Sequence, residues 1–309
     1  MLKIGVLGLG NIAQKAYLSV FSGIQDQAEF YLSSRNETKL KSLQAKYRFP
    51  HVTTNMDELL EVGLDAVFIH TPTATHYTII KKFLTAGINV YVDKPVSEDL
   101  LEVDELYKLA EQHDVQLTAG FNRRFAPYNQ QIRQITGKQL ITVEKTRVSA
   151  HQPVQEAIYD LFIHVVDTAL FLANITTFKP TEANFSYQIN ADAAGILTNC
   201  SMTLKLDGLT VLAKMNMQSG VDHETATIES SKGIATVTDL ETLTKDSASG
   251  QLSSSLAGWT PMLTRRGFEP LINEFIHSLS DRAYDNPVSP ASSVLSHQLC
   301  QLILDGTVS

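Results

Sequence analysis

Residues Lys3-Ile4-Gly5-Val6-Leu7-Gly8-Leu9-Gly10-Asn11-Ile12-Ala13 begin with a short apolar run that passes straight into glycines. The run Lys3–Leu7 reads as a strand, and Gly8–Ala13 fits the pattern G-x-G-x-x-G/A. In that pattern the first glycine permits a tight turn and the second lets the backbone approach a pyrophosphate. A small third residue lets the following helix pack on the strand, with its N-terminus toward the phosphates. A glycine hexamer is weak evidence in isolation. Here it follows a strand and opens a βαβ unit, and that context predicts a dinucleotide site.

Working outward, further strands are expected at Glu29–Ser33, Asp65–His70, Asn89–Val92 and Gln116–Ala119. Val67-Phe68-Ile69 and Val90-Tyr91-Val92 are the short apolar runs of strands covered on both faces. Helical patterns lie between them at Glu37–Tyr47, Thr75–Ala86 and Ser97–Asp114, the last with Ser97 as its expected cap. This βαβαβ order implies an N-terminal Rossmann domain, a doubly wound parallel sheet, over residues 1–120. After Gly120 the pattern changes. Phe121–Pro127 reads as a crossover loop, followed by a short helix and a strand near Ile141–Val148. Ile158–Ala173 reads as a helix, and strand-like segments and turns alternate from Thr181 to Leu240, with a hairpin turn at Ser230–Gly233. Asp246–Ser255, rich in serine, is expected to be a mobile loop. Gly267–Ser280 and Ala291–Leu304 read as helices. Residues 121–309 are therefore expected to form a C-terminal α+β domain for substrate binding and oligomerisation. Its sheet should be open and largely antiparallel, and its final helix is a candidate to pack back on the first domain.

Composition narrows the function. The chain has 309 residues, 43% of them hydrophobic and 19% charged, an ordinary globular balance with ample core for two domains. Its formal net charge of -8 disfavours nucleic acid and anionic membrane as partners, since both need cationic surface. The N-terminus does not read as a signal peptide, and no apolar run approaches the ~18 residues of a membrane span. Cys200 and Cys300 lack metal-ligand spacing and are expected as buried thiols in a reducing, cytoplasmic setting.

The end of the second strand bears on which dinucleotide binds. A carboxylate there would hydrogen-bond the ribose 2′-hydroxyl of NAD(H), but this chain has Ser33-Ser34-Arg35-Asn36. Arg35 can pair with a 2′-phosphate through its planar fork, and Ser34 can donate to it, so NADP(H) is expected over NAD(H).

Thr71-Pro72-Thr73-Ala74-Thr75-His76 and Asp93-Lys94-Pro95 follow two of the parallel strands, where open α/β sheets place ligands. With the later Asp160-Leu161-Phe162-Ile163-His164-Val165-Val166-Asp167, these segments resemble the signature of the Gfo/Idh/MocA oxidoreductases, and the resemblance spans essentially the whole chain. The wording around Val92–Pro95, Gly120–Pro127 and His164–Leu170 is most similar to the MviM-like subgroup. One departure is Asp93, where the family usually has Glu; the carboxylate is kept, one methylene shorter. The resemblance implies an NAD(P)-dependent dehydrogenase or reductase acting on CH-OH groups of a small polyhydroxylated substrate, such as a sugar or inositol. It implies a homodimer or homotetramer, and no metal. The cofactor contacts it implies are Gly8, Gly10, Asn11, Ile12, Ser34, Arg35, Thr71, Pro72, His76, Asp93, Lys94, Asn122 and Arg123.

Lys94 can hydrogen-bond a substrate oxygen and stabilise charge on it as an alcohol becomes a carbonyl. Asp160, His164 and Asp167, at i, i+4 and i+7, would share one helical face. His164 then suits general acid/base work and Asp160 would orient a substrate hydroxyl. These three, Lys94, His164 and Asp160, are the expected catalytic residues. Asp167 is expected to partner Arg123 or Arg124 of the crossover. Tyr159 and Trp259 are read as packing residues, the latter with a sugar-stacking alternative. Specificity would come from the Gln152–Glu156 and Asp246–Trp259 regions. Two other functions fit the same motifs: a dinucleotide-binding sensor without turnover, and a redox-neutral lyase or epimerase that returns the hydride.

Overall fold

The computed structural model describes residues 1–280 and 284–306, so the last three residues of the expected second domain lie outside it. In chain order the strands and helices are β1 (Leu2–Leu7), α1 (Leu18–Gly23), β2 (Ala28–Ser33), α2 (Glu37–Tyr47), β3 (His51–Thr53), α3 (Glu58–Glu61), β4 (Ala66–Ile69), α4 (His76–Thr85), β5 (Asn89–Val92), α5 (Leu100–Gln112) and β6 (Leu117–Ala119). Then come α6 (Pro127–Arg133), β7 (Lys138–Val148), α7 (Val154–Ala157), α8 (Ile163–Ala173), β8 (Phe185–Ala191), β9 (Leu197–Leu206), β10 (Leu209–Ser219), β11 (His223–Ser230), β12 (Gly233–Thr238), β13 (Thr242–Ser247), β14 (Gly250–Ser255), α9 (Met262–Arg265), α10 (Phe268–Ser280) and α11 (Pro290–Asp305).

They fall into two compact units: Met1–Gly120 with Phe268–Pro290, and Phe121–Gly267 with Ala291–Ser309. Unit 1 is a parallel sheet in the order β3-β2-β1-β4-β5-β6, the doubly wound arrangement. Its central strands are buried on both faces; Val6, Leu32, Phe68 and Val90 are fully enclosed. Strand order reverses between β1 and β4, the switch point beside which open α/β sheets place their ligands. β3 is a short edge strand that follows Pro50, too brief and too half-exposed to show a pattern in sequence. α10 completes this unit, its Phe275 set against Phe68 and Tyr91.

Unit 2 is built on a sheet in the order β14-β13-β12-β11-β7-β10-β9-β8, antiparallel except for the β7–β10 pair. Ile141 and Val143 of β7, Val211 and Ala213 of β10, and Ala226 and Ile228 of β11 point to the face on which α8 packs. Cys200 and Cys300 are buried and not joined. No helix among the described residues is long and apolar enough to cross a membrane.

Three local expectations are corrected. Asp246–Ser255 is not a mobile loop but the hairpin of β13 and β14, with Thr242 to Ser247 paired to Ser255 to Gly250. The strand β13 offers a ready template, and backbone pairing overrides the weak strand preference of serine and glycine. α5 is capped by Asp99, whose Oδ1 accepts from Leu101 N at 2.8 Å, while Ser97 Oγ accepts from Asp99 N. Trp259 packs on nothing: it is 98% exposed. Tyr159 is buried as expected, its hydroxyl donating to Gln301.

His70, at the end of β4, lies in an aromatic cage with its ring 4.0 Å from that of Tyr17 and near Phe21 and Phe68. Neither ring nitrogen has a hydrogen-bond partner among the described residues. Burial, helped by neighbouring His76, pushes its pKa down to about 3. The unfolded chain takes up this proton below its ordinary pKa of ~6.5 while the native chain does not, so stability is lost as pH falls from there toward 3. At pH 5 the loss from this residue is roughly 2 kcal/mol. His70→Leu should narrow the gap in denaturation free energy between pH 7.5 and pH 5 by that amount, read by urea titration. An unchanged gap would show that His70 does not carry it.

Candidate active site

In unit 1 the loop after β1 is pressed against the loop after β4. Gly8 has φ +88°, and a Cβ on it would stand 2.8 Å from His70 C and Thr71 N. Only glycine fits there. At Gly10 a Cβ would meet nothing within 4 Å, so the backbone is open to an incoming group. Ala13 is fully buried, as close packing of helix on strand requires. Asn11 is exposed and Ile12 half-buried at the helix start. The helix begins with a π turn over Ala13–Tyr17, and Gln14 secures the glycine loop by donating to Leu9 O at 2.9 Å.

These loops enclose a cleft of about 330 Å³ lined by Leu7–Gly10, Ser33–Asn36, Lys39 and His70–Pro72. No carboxylate lines it. Arg35 is exposed, and neither its guanidinium nor the Lys39 ammonium has a side-chain partner among the described residues. Lys39 went unnoticed in the sequence; it stands one helical turn after Arg35, and that i, i+4 spacing was the available signal. Asn36 caps α2, its Oδ1 accepting from Lys39 N at 2.9 Å, which orients this turn. An open Gly10, a glycine-only contact at Gly8 and two free cations fit a phosphorylated dinucleotide.

His76 is almost fully buried. Its Nδ1 is 2.9 Å from Pro95 O and its Nε2 2.9 Å from Thr71 O. The imidazole thus ties the Thr71-Pro72 loop to the Lys94-Pro95 loop. Burial pushes its pKa down against the pull of these carbonyls. Asp93 Oδ1 accepts from Lys94 N at 2.9 Å and fixes the backbone from which the lysine projects.

In unit 2, Asn122–Phe125 form a 3-10 turn with Asn122, Arg123 and Arg124 all buried. Arg124 is the partner of Asp167, with Nε 2.9 Å from Oδ2; Ser296 Oγ also donates to this carboxylate at 2.9 Å. Arg124 Nη1 donates to Ser292 Oγ at 2.8 Å, so the turn, α8 and α11 share one buried network. Arg123 pairs with Glu224 instead, Nη2 to Oε2 at 3.0 Å, and Asn122 Nδ2 donates to Arg266 O at 2.7 Å. The side chains of these two predicted cofactor contacts are thus engaged within unit 2.

His164 is buried on α8, where its carbonyl accepts from Thr168 Oγ1. The even stripe expected of Asp160, His164 and Asp167 is interrupted. Ile158–Phe162 form a π turn, which takes in one more residue than an α turn. Asp160 lies in it, exposed, with Gln152 Nε2 donating to its Oδ2 at 3.0 Å. Sequence spacing gave no sign of the π turn. Among the described residues no group of His, Cys, Asp or Glu is arranged to hold a metal ion.

Comparison with known proteins agrees with this geometry. Residues 2–121 match the family described as "Oxidoreductase family, NAD-binding Rossmann fold", and residues 126–248 match the YceM-like C-terminal domain. The chain is 30% identical to YceM of Salmonella typhimurium, which carries an oxidoreductase name, over 91% of this chain and 90% of that protein. The crystal structure of a dehydrogenase (MviM) from Clostridium difficile superposes with a TM-score of 0.92 at 29% identity, covering 99% of both chains. UDP-N-acetylglucosamine 3-dehydrogenase of Acidithiobacillus ferrooxidans is 30% identical over 55% of this chain and 54% of that protein.

Asp167→Asn leaves Arg124 buried without its counter-charge. Breaking such a pair costs roughly 3–5 kcal/mol. The variant should lose that much stability in urea titration, whereas a loss under 1 kcal/mol would show that the pair does not hold this unit together.

Proposed function

The chain belongs to the Gfo/Idh/MocA family of oxidoreductases, and from that premise we propose an NADP(H)-preferring dehydrogenase or reductase that moves a hydride to or from a secondary carbinol of a sugar, inositol or related polyol. The observation that carries the cofactor preference is the cleft itself, which Arg35 and Lys39 line and no carboxylate enters. A carboxylate would repel a 2′-phosphate, whereas a guanidinium pairs with it. The substrate class is supported by the relative named UDP-N-acetylglucosamine 3-dehydrogenase.

Bound NADP(H) supplies or accepts the hydride. The chain's own residues handle the proton. As the carbinol becomes a carbonyl, its hydroxyl proton must leave, and the developing charge on oxygen must be held. Lys94, on a backbone that Asp93 fixes, serves as hydrogen-bond donor to that oxygen. His164 serves as the base in oxidation and as the acid in reduction. Asp160 orients a neighbouring hydroxyl. Asp167 is a positioning residue, because it acts through Arg124 and the helix that carries His164.

A charged hydrogen bond is worth roughly 1.5–3 kcal/mol, or about one to two decades in affinity. Titrating the protein with NADPH and NADH by fluorescence should show NADPH binding tighter by that factor, and Arg35→Ala should erase the difference. NADH binding as well as NADPH would overturn the preference. With a polyol that turns over, His164→Asn should lower kcat roughly 10²–10⁴-fold and leave NADPH affinity within threefold. Tight NADPH binding without turnover or hydride exchange across a sugar and polyol screen would favour the sensor function instead.

A further inference from the structure

Unit 2 holds an imbalance of charge that its fold does not explain. Lys145 of β7 and Glu224 of β11 stand opposite each other in the sheet, and Lys145 Nζ lies 2.9 Å from Glu224 Oε2. Arg123 grips the same carboxylate from the 122–125 turn. Glu224, Lys145 and Arg123 are all buried or nearly so. Arg266 adds a third cation. Its electrostatic neighbours are Arg123, Glu224, Glu241 and Asp239. Glu241 pairs with Arg265 at 3.7 Å, and Asp239 accepts from Glu224 N and meets His223. Three cations therefore surround one buried carboxylate.

The Arg266 guanidinium is half-buried, yet it has no hydrogen bond or ion pair among the described residues. Only its backbone is held: its carbonyl accepts from Asn122 Nδ2 and its N donates to Met262 O. Gly267 has φ +78°, and a Cβ on it would stand 2.1 Å from Asn122 O, so only glycine brings Arg266 this close to the turn. Burial and the Arg123 charge push the Arg266 pKa down; burial does the same to Lys145 against the pull of Glu224. Burial alone would push Glu224 up, but Arg123 and Lys145 hold it well below the usual carboxylate range. Glu224 therefore stays charged and gripped by Arg123 and Lys145, while Arg266 feels Glu224, Glu241 and Asp239 as neighbouring charges without pairing directly with any of them. A half-buried guanidinium whose donors meet no acceptor among the described residues is open to an incoming anion.

The cluster is tied to the residues assigned to proton transfer. Arg123 and Arg124 are consecutive; one holds Glu224, and the other holds Asp167, three residues after His164 on α8. Lys145 points to the same sheet face as Ile141 and Val143, the face on which α8 packs.

We propose that Arg266, with Lys145 and Arg123 around it, binds an anionic group of the substrate, a carboxylate or a phosphate, so that the polyhydroxylated molecule on which this oxidoreductase acts carries an acidic group. This rests on the reading above that unit 2 takes the substrate. The planar fork of arginine matches either oxyanion, and the excess charge of the cluster offsets the ligand's own.

The test uses the full-length protein saturated with NADPH, so that the phosphate-binding cleft of unit 1 is filled. Inorganic phosphate and malonate are titrated separately by calorimetry at constant ionic strength set with sodium chloride. At least one should bind, and the stronger of the two identifies the group as phosphate or carboxylate. Arg266→Gln should weaken that binding at least tenfold, Arg266→Lys should keep part of it, and the NADPH affinity of both variants should stay within twofold of the parent. Absence of binding by both anions, or equal binding by parent and Arg266→Gln, overturns the site. A tenfold fall in NADPH affinity in Arg266→Gln also overturns it, because the cluster would then serve the cofactor. If the parent fails to bind NADPH, the cofactor reading falls, and the same anion titrations without it still decide this one.

Discussion

The buried pair of Arg124 and Asp167 is the contact on which the arrangement of unit 2 depends. Two charges taken out of water are costly unless every lone pair and proton is matched. Here the carboxylate meets Arg124 and Ser296, and the guanidinium also meets Ser292. The match forces three segments together: the turn at 122–125, α8 and α11. Once Arg124 is fixed, the residue before it has little freedom, and Arg123 is delivered to Glu224 on β11. One dipeptide thus joins the helix that carries His164 to the sheet beneath it. A hydrophobic contact could bring the same elements together, but it would not specify which turn of the helix faces which strand.

Unit 1 reaches comparable definition by backbone contact. The approach of Gly8 to His70 and Thr71 sets the loops after β1 and β4 against each other, and the imidazole of His76 joins the second of these to the loop carrying Lys94. No side chain beyond Cα can enter the first contact, and in the second the imidazole stands between two carbonyls, donating to one of them. The residues of unit 1 named from sequence as touching a cofactor are therefore of two kinds. Gly10, Ser34 and Arg35 line the cleft, whereas His76 holds its walls.

Much of unit 1 was legible because each of its signals is local. A strand buried on both faces is a continuous apolar run, and the glycine pattern marks the switch between strand and helix. What escaped was either too short or dependent on partners distant in sequence. β3 has three residues and no pattern of its own. β14 is all serine, glycine, leucine and glutamine, and becomes a strand only because β13 lies alongside. The π turn that carries Asp160 leaves no periodic trace, since one extra residue in one turn does not alter a heptad count. For the site, residue types at motif positions were readable, but their pairings were not. Nothing in the order Asn122-Arg123-Arg124 says which arginine meets Asp167, or that Glu224, about a hundred positions away, takes the other.

The net charge of -8 gives the unpartnered cations their meaning. Any phosphorylated ligand approaching this chain meets an unfavourable average field. That field is screened beyond ~8 Å at physiological salt, so only charges close to the ligand decide its binding. An acidic oxidoreductase that takes an anionic cofactor must therefore gather cations locally and leave them unpaired within its own fold. Several other cations do not qualify: Lys81, Lys82, Lys41 and Arg147 are each matched to a carboxylate. Arg35 and Lys39 stay unmatched beside the glycine loop, and Arg266 stays unmatched and half-buried beside Glu224. Exposed cations without partners cost little, so the first two positions gain their weight from the cleft they line. Arg266 differs, because it is half-buried and no carboxylate pairs with it directly among the described residues.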